Sequence, residues 1–348
     1  MVARLLASIY TTQKMRVRWG VYTSDVFSVS NGVKQGGVLS PILFNLYLDE
    51  LLVSLKNSKL GCHIGHLFCA AFAYADDVII LSPSLLALRK LLDVCDDFSI
   101  EFKVRFNAAK SRLLVFGMRD VAGIEVQFSG VVLKPSVSEI HLGIPIGPES
   151  NRIRIESSVN DLYKKTNILL SQFGHASAMV KYSLFKSYCT SFYGCSLWDL
   201  SKPTIDNVYV AWRKCIRRTM DIPRRTHNVL LPHFIGDCTI QSLLEHRVVN
   251  FYHMMERSSG VVVRMCLGLA VYGSRSSFSG SLKHICHKYN VSRFHLPALN
   301  VDDMEINDDV IVQQRGAFIK DLLEMRDSGN DQLNFYEISD MIEMLCVN

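Results

Sequence analysis

The sequence has no C-x-x-C pair among its 10 cysteines, so nothing in it carries zinc-finger spacing. His284, Cys286 and His287 cluster, but no second ligand pair follows, and they read as non-metal. A secretory signal is not expected from the first residues, which hold one arginine and too short an apolar run. Reduced thiols in the cytosol or nucleus therefore fit better than a disulfide framework and secretion. No uninterrupted apolar stretch approaches the roughly 18 residues that a membrane span needs. Val261 to Tyr272 comes nearest and is broken by Arg264. A membrane is not expected as a partner. Acid is scarce at the start, where Asp25 is the only carboxylate in the first 30 residues. No internal repeat is evident.

What is present suits a folded protein. At 348 residues there is room for one large or two modest domains with real cores. Hydrophobic residues make up 49% and charged ones 20%, a globular balance that excludes a disordered chain. The net charge of +5 is mild, but its distribution is uneven. Basic residues gather in the middle, among them Lys164, Lys165, Arg213, Lys214, Arg217 and Arg218. Acidic residues gather near the end, among them Asp302, Asp303 and Glu305. A basic face suits a polyanion such as nucleic acid. Any single pair of these charges suits a solvated helix face equally well.

The stretch that organises the rest is Ala73-Tyr74-Ala75-Asp76-Asp77-Val78-Ile79-Ile80-Leu81. Two adjacent carboxylates interrupt an apolar run, which reads as buried strand, tight turn, buried strand with Asp76 and Asp77 at the turn. Side-by-side carboxylates are costly to bury without a cation between them, and oxygen donors suit hard divalent ions. An ordinary Asp-Asp hairpin is the plainer alternative. Upstream lies Asn31-Gly32-Val33-Lys34-Gln35-Gly36-Gly37-Val38-Leu39-Ser40-Pro41. Its glycines leave backbone bare for close approach. Ser40 suits an N-cap and Pro41 the first helical position. Leu43, Phe44, Tyr47, Leu48, Leu51, Leu52 and Leu55 then follow at helix period.

Further along, Ser84 to Phe98 reads as a helix, and Phe102, Val104 and Phe106 alternate like a strand. Arg112 to Phe116 reads as a strand, and Gly123 to Leu133 as two short strands around Ser129-Gly130. His141 to Ile146 reads as a last strand before the breaker Gly147-Pro148. Beyond it the pattern is helical over Val159 to Phe173, Met179 to Tyr193 and Ile205 to Met220. Interleaved Tyr163, Tyr182, Tyr188, Tyr193 and Trp212 suit core packing more often than base stacking. The tail from Asn300 also has helix spacing.

The Gly-rich block, Tyr74-Ala75-Asp76-Asp77, Asn107-Ala108-Ala109-Lys110-Ser111 and His141-Leu142-Gly143 occur here in order. Together they resemble the palm of a reverse transcriptase, and more narrowly that of the non-LTR (LINE-type, jockey-like) retrotransposons. Leu184 to Cys189 and Ala211-Trp212-Arg213-Lys214 resemble the same family's thumb, and Asp221 to Leu231 its post-thumb connection. The resemblance implies an α+β fold: a partial right-hand polymerase palm (an antiparallel sheet with helices) over residues 1–147. A helical thumb and connection would occupy 148–235, and a helical C-terminal region of unknown role 236–348.

The implied activity is RNA-directed DNA polymerisation by two-metal nucleotidyl transfer, with two Mg2+ ions, an RNA template, a DNA primer and dNTPs. Asp76 would be a direct metal ligand and Asp77 its neighbouring carboxylate. Gln35, Gly36 and Gly37 would approach the incoming nucleotide and its template base. Lys110 would lie near the nucleotide phosphates, and His141, Leu142 and Gly143 would support the primer's 3′ end. Arg213, Lys214, Arg217 and Arg218 would meet the nucleic-acid backbone. The family's first catalytic strand, with its aspartate and its bulky ribonucleotide-excluding residue, has no match here. The expectation is an incomplete metal site and no activity from this chain alone. The competing reading is a non-catalytic nucleic-acid-binding protein derived from a retroelement.

Overall fold

The computed structural model describes residues 2–29, 32, 34–118, 120–272 and 275–290. Asn31 and Val33 of the Gly-rich block and the helix-patterned tail from Asn300 lie outside them. The chain divides into two compact units, residues 1–113 with 119–135, and residues 114–118 with 136 onward.

The first unit opens with α1 (Val2–Thr11) and a ribbon of β1 (Lys14–Met15), β2 (Arg18–Trp19), β3 (Tyr22–Thr23) and β4 (Phe27–Ser28). β2 pairs with β3 and β1 with β4, both antiparallel. Next comes α2 (Ser40–Asn57), with proline in its first turn and Leu48, Leu51 and Leu55 forming one buried stripe. Ser40 is not the cap: it is the first helical residue, and its hydroxyl donates to the Lys34 carbonyl at 2.6 Å instead. Two hairpins follow, β5 (His63–Ile64) with β6 (Leu67–Phe68), then β7 (Ala71–Tyr74) with β8 (Asp77–Ile80).

α3 spans Leu85–Phe102, and the Ser84 hydroxyl accepts the Ala87 N–H at 3.2 Å as its N-cap. The helix runs a turn beyond Phe98 because Phe98 and Phe102 stack with ring centroids 4.4 Å apart. Lys103, at φ +54°, ends it. Val104 and Phe106 are consequently not a strand, and they pack onto the same core as Phe102. That core is Leu48, Leu51 and Leu55 of α2 with Leu91, Cys95 and Phe98 of α3, and each fully buried leucine contributes about 1.5–3 kcal/mol. Burial, then the Asp96 charge, pushes the Cys95 thiol up to about 12, so it packs as an inert hydrophobe.

After the short strand β9 (Leu113–Leu114), β10 (Val126–Phe128) and β11 (Val131–Leu133) form the expected hairpin. Ser129 and Gly130 turn it with φ of +45° and +80°. The Ser129 hydroxyl donates to Asp96 Oδ1 at 2.5 Å, tying the turn to α3.

Past β12 (Pro135–Ser136), the stretch expected as one strand is a hairpin of β13 (Glu139–His141) and β14 (Ile144–Ile146). Leu142 and Gly143, at φ +50° and +76°, reverse the chain between them. α4 (Ser150–Phe173) and α6 (Asp206–Thr219) pack together and carry the second core. α5 (Ala178–Leu184) passes into one π turn, Phe185–Cys189, so the helix expected to reach Tyr193 stops short. α7 (Leu231–Ile235), α8 (Ile240–Glu256), α9 (Val261–Tyr272) and α10 (Ser277–Lys288) complete the unit. Phe185, Trp198, Ile216, Leu244 and Ile285 sit at its centre. The architecture is thus α+β, helices with small antiparallel sheets. Among the described residues no helix is long and apolar enough to cross a membrane.

Candidate nucleic-acid and metal site

The Asp-Asp hairpin is tighter than its sequence suggests. Tyr74 pairs with Asp77, so the turn is Ala75-Asp76 and Asp77 is already the first residue of β8. Both carboxylates are exposed. The arms are not buried as expected, since Phe72 is 43% and Tyr74 65% exposed. The apolar side chains that do turn inward are Ala71, Val78 and Ile80, which pack on the α2–α3 core. Ala75 makes the reversal with φ +51°, a left-handed conformation that costs a residue with a Cβ about 1–2 kcal/mol. Ala75→Gly is expected to raise stability by about 1 kcal/mol in urea unfolding. No gain, or a loss, would show that the turn is not strained.

The base of the hairpin is held by backbone bonds. Leu81 N–H donates to the Ala70 carbonyl at 2.6 Å, Cys62 N–H to Leu81 at 3.1 Å, and Cys69 N–H to Cys62 at 3.0 Å. Gly61 makes this closure possible. It stands at φ +91°, and a Cβ there would lie 2.3 Å from the Ala70 Cβ and 3.0 Å from the Leu81 carbonyl oxygen. Nothing in the local sequence singles out this glycine.

Gln35 and Gly36 occupy the exposed tip of a turn closed by Gly37 N–H donating to the Lys34 carbonyl at 3.0 Å. Gly36 takes φ +78° at the third position, where a turn of this kind calls for glycine. Gly37 is required for a different reason. Its φ is not in the left-handed region, but a Cβ would meet Ser40 Oγ at 2.6 Å and the Lys34 carbonyl at 3.1 Å. Lys110 lies in a turn. Asn107 builds that turn, its backbone carbonyl accepting the Lys110 N–H at 3.0 Å and its side-chain oxygen at 3.2 Å, which leaves the Lys110 ammonium exposed.

Asp76, Asp77, Gln35, Gly36, Gly37 and Lys110 all belong to the first unit. His141, Leu142, Gly143 and the four cations of α6 belong to the second. On α6, Lys214 and Arg218 face outward, and Arg218 donates to Asn167 of α4 at 2.8 Å. Arg213 is half-buried. Arg217 is also half-buried and committed, donating to the Thr226 carbonyl at 2.7 Å and to Asn228 Oδ1 at 2.6 Å. Burial, then the neighbouring Arg213 charge, lowers its pKa from the usual arginine value. Arg217→Ala is therefore expected to cost about 1–3 kcal/mol of stability through unpaired acceptors. Lys214→Glu with Arg218→Glu should leave the melting transition in place. Of the interleaved aromatics, Trp212 and Tyr182 are buried, whereas Tyr188 and Tyr193 are 69% and 68% exposed.

Two adjacent carboxylates are the right chemistry for a hard divalent cation such as Mg2+, which keeps several waters and is held by one or two carboxylates together with substrate phosphates. Among the described residues no group of three or more His, Cys, Asp or Glu is placed to hold a metal.

Paired carboxylates on a tight hairpin, a glycine turn feeding a helix and an outward basic helix face make up an α+β chain with the chemistry of proteins that handle nucleic acid. Residues 3–174 match the family described as reverse transcriptase (RNA-dependent DNA polymerase). The retrovirus-related Pol polyprotein from type-2 retrotransposable element R2DM of Drosophila melanogaster is 40% identical over 89 residues, 26% of this chain and 8% of that protein. The RNA-directed DNA polymerase from mobile element jockey of Drosophila funebris is 24% identical over 235 residues, 63% of this chain and 25% of that protein. The Pol polyprotein from type-1 retrotransposable element R2 of Popillia japonica is 37% identical over 102 residues, 29% of this chain and 14% of that protein. The chain thus carries a reverse transcriptase segment of the non-LTR retrotransposon kind. It matches a quarter or less of the length of these relatives.

Proposed function

We propose that the chain is part of an RNA-directed DNA polymerase and supplies one share of a divalent-cation nucleotidyl-transfer centre. Asp76 and Asp77 would hold Mg2+, which when bound activates the attacking oxygen and neutralises the leaving one. Gln35, Gly36 and Gly37 would face the nucleotide and template base, with an uncharged donor and acceptor beside bare backbone. Lys110 would approach the nucleotide phosphates. His141, Leu142 and Gly143 would support the primer end, and Lys214 and Arg218 the backbone of an RNA–DNA hybrid. Residues 1–147 would serve as palm, 148–235 as thumb and connection.

The observation that carries this reading is the exposed, strained Ala75-Asp76 turn with Asp77 beside it, inside the segment that matches reverse transcriptases. Because the described donor set stops at two grouped carboxylates, we propose that the chain alone binds primer–template without extending it. Alternatively, the outward cations of α6 would serve a protein that binds nucleic acid without catalysis.

Binding of a labelled RNA–DNA hybrid, followed by anisotropy against salt, tests the shared part. Affinity should fall linearly on a log–log plot, and each of Lys214→Glu and Arg218→Glu should reduce the slope by about 1. Asp76→Ala should leave binding unchanged without metal. Salt-independent binding, or none, would sink the nucleic-acid reading.

A further inference from the structure

The turn Leu142-Gly143 does not stand by itself. The Tyr193 hydroxyl donates to the Leu142 carbonyl at 3.1 Å. The Tyr193 ring lies 3.4 Å from where a Gly143 Cβ would sit, so it covers the glycine face of the turn. Tyr193 belongs to the irregular segment 190–194 that leaves the π turn. This segment is bent hard: Phe192 stands at φ +40° and Gly194 at φ +74°. A Cβ on Gly194 would press on Ile144 of β14 at 3.1 Å, so the segment lies close against the hairpin. π turns recur at functional sites, and here one ends where the segment begins.

A second residue holds the segment from the other side. Arg247 of α8 donates Nη1 to the Ser191 carbonyl at 2.6 Å and Nη2 to the Thr190 carbonyl at 2.9 Å. Its guanidinium stands 5.9 Å from the centre of the buried Phe192 ring. Ser196 fixes α8 in turn, its hydroxyl donating to the Arg247 carbonyl at 3.2 Å. The planar guanidinium reaches the two carbonyls with separate nitrogens held in a fixed fork, a geometry that a lysine ammonium does not reproduce. Arg247 of α8 thus fixes Thr190 and Ser191 by hydrogen bonds, the backbone continues to Tyr193 two residues on, and Tyr193 bonds the turn. All of these residues lie in one compact unit, and Tyr193 and Arg247 lie beyond the segment that matches the family.

We propose that Tyr193 and Arg247 are positioning residues for the primer end: Arg247 sets the segment 190–194, and Tyr193 sets the Leu142-Gly143 turn. The proposal rests on the reading that this turn supports the primer. It gives the helices after residue 236 a role in substrate placement.

The test uses the whole chain bound to an RNA–DNA hybrid with 2-aminopurine at the primer's 3′ terminus. Amide hydrogen exchange of 139–146 and 190–194 is read in parallel with the 2-aminopurine fluorescence and the hybrid affinity. Tyr193→Phe keeps the ring and removes one hydrogen bond. It should speed exchange in 139–146 about fivefold, with 190–194 little changed. Arg247→Lys should speed exchange in both segments. Both variants should shift the terminal 2-aminopurine signal while hybrid affinity stays within about twofold, a split that general destabilisation does not produce. Exchange in 139–146 that ignores both substitutions would overturn the relay. If exchange responds but the bound 2-aminopurine signal does not, the primer role is overturned and the failure lies in the reading of the turn. Tyr193→Phe decides the matter where the arginine variant fails to fold.

Discussion

Gly61→Ala is expected to remove about 3 kcal/mol of stability from the first unit. Two costs add. A Cβ at φ +91° costs about 1–2 kcal/mol. Forcing that Cβ against the Ala70 Cβ, 2.3 Å away, and Leu91 Cδ1, 3.2 Å away, adds the roughly 1–3 kcal/mol of an overpacked core. The neighbours have little room to yield. Ala70 and Leu91 are fully buried, and the Leu81 carbonyl is already bonded to the Cys62 N–H. Against a total of about 5–15 kcal/mol, the loss is large. Denaturant unfolding should show it as an earlier first transition. Adding Ala70→Gly should recover part of the loss, because the two sites share one contact. A change under about 0.5 kcal/mol would mean that the hairpin base is looser than described.

Asp76→Ala is expected to lower primer extension by about 10³-fold or more in a longer product of the same frame that supplies a third carboxylate. Charge stabilisation by a bound metal contributes several kcal/mol, and each 1.36 kcal/mol is tenfold in rate. Asp77→Ala should cost less, because the family resemblance makes Asp76 the direct metal ligand and Asp77 only its neighbouring carboxylate. Folding should be untouched by the first change, since Asp76 sits at an exposed turn. Single-turnover extension across a Mg2+ titration, with melting curves alongside, measures both effects. Equal activity with and without the Asp76 carboxylate would remove it from the metal site.

Much of the local architecture was readable in the residues. The helix at Ser40–Asn57 follows from leucines three and four apart after a proline, and the Ser129-Gly130 hairpin follows from its turn chemistry. The carboxylate turn was legible one residue out of register, because apolar runs fix strands better than they fix which pair reverses the chain. His141–Ile146 read as one strand because its turn residue Leu142 carries no turn signature. A leucine at φ +50° is held there by Tyr193, a tertiary contact. Phe102 to Phe106 alternated like a strand, but the Phe98–Phe102 stack carries the helix through Phe102, and Val104 and Phe106 follow as irregular chain packed on the same core. Burial along the hairpin arms was overestimated for the same reason: apolar character does not say what covers a face. Arg217 looked like its neighbours Lys214 and Arg218 in sequence, and only the fold shows that it is spent on Thr226 and Asn228. Gly61 and Arg247 had no local signal, and Tyr193 read only as a core aromatic although it is exposed, since the importance of all three lies in contacts distant along the chain.

The most direct measurement is RNA-templated extension of a DNA primer by the 348-residue chain with Mg2+, dNTPs and a parallel binding assay. The account predicts salt-dependent binding of the hybrid and no added nucleotide. Extension should appear once a segment carrying a further carboxylate is supplied, and be lost again on Asp76→Ala. Robust extension by the chain as given would contradict the claim that its carboxylates are an incomplete set. Absence of both binding and extension, with that further segment supplied as well, would contradict the polymerase reading itself.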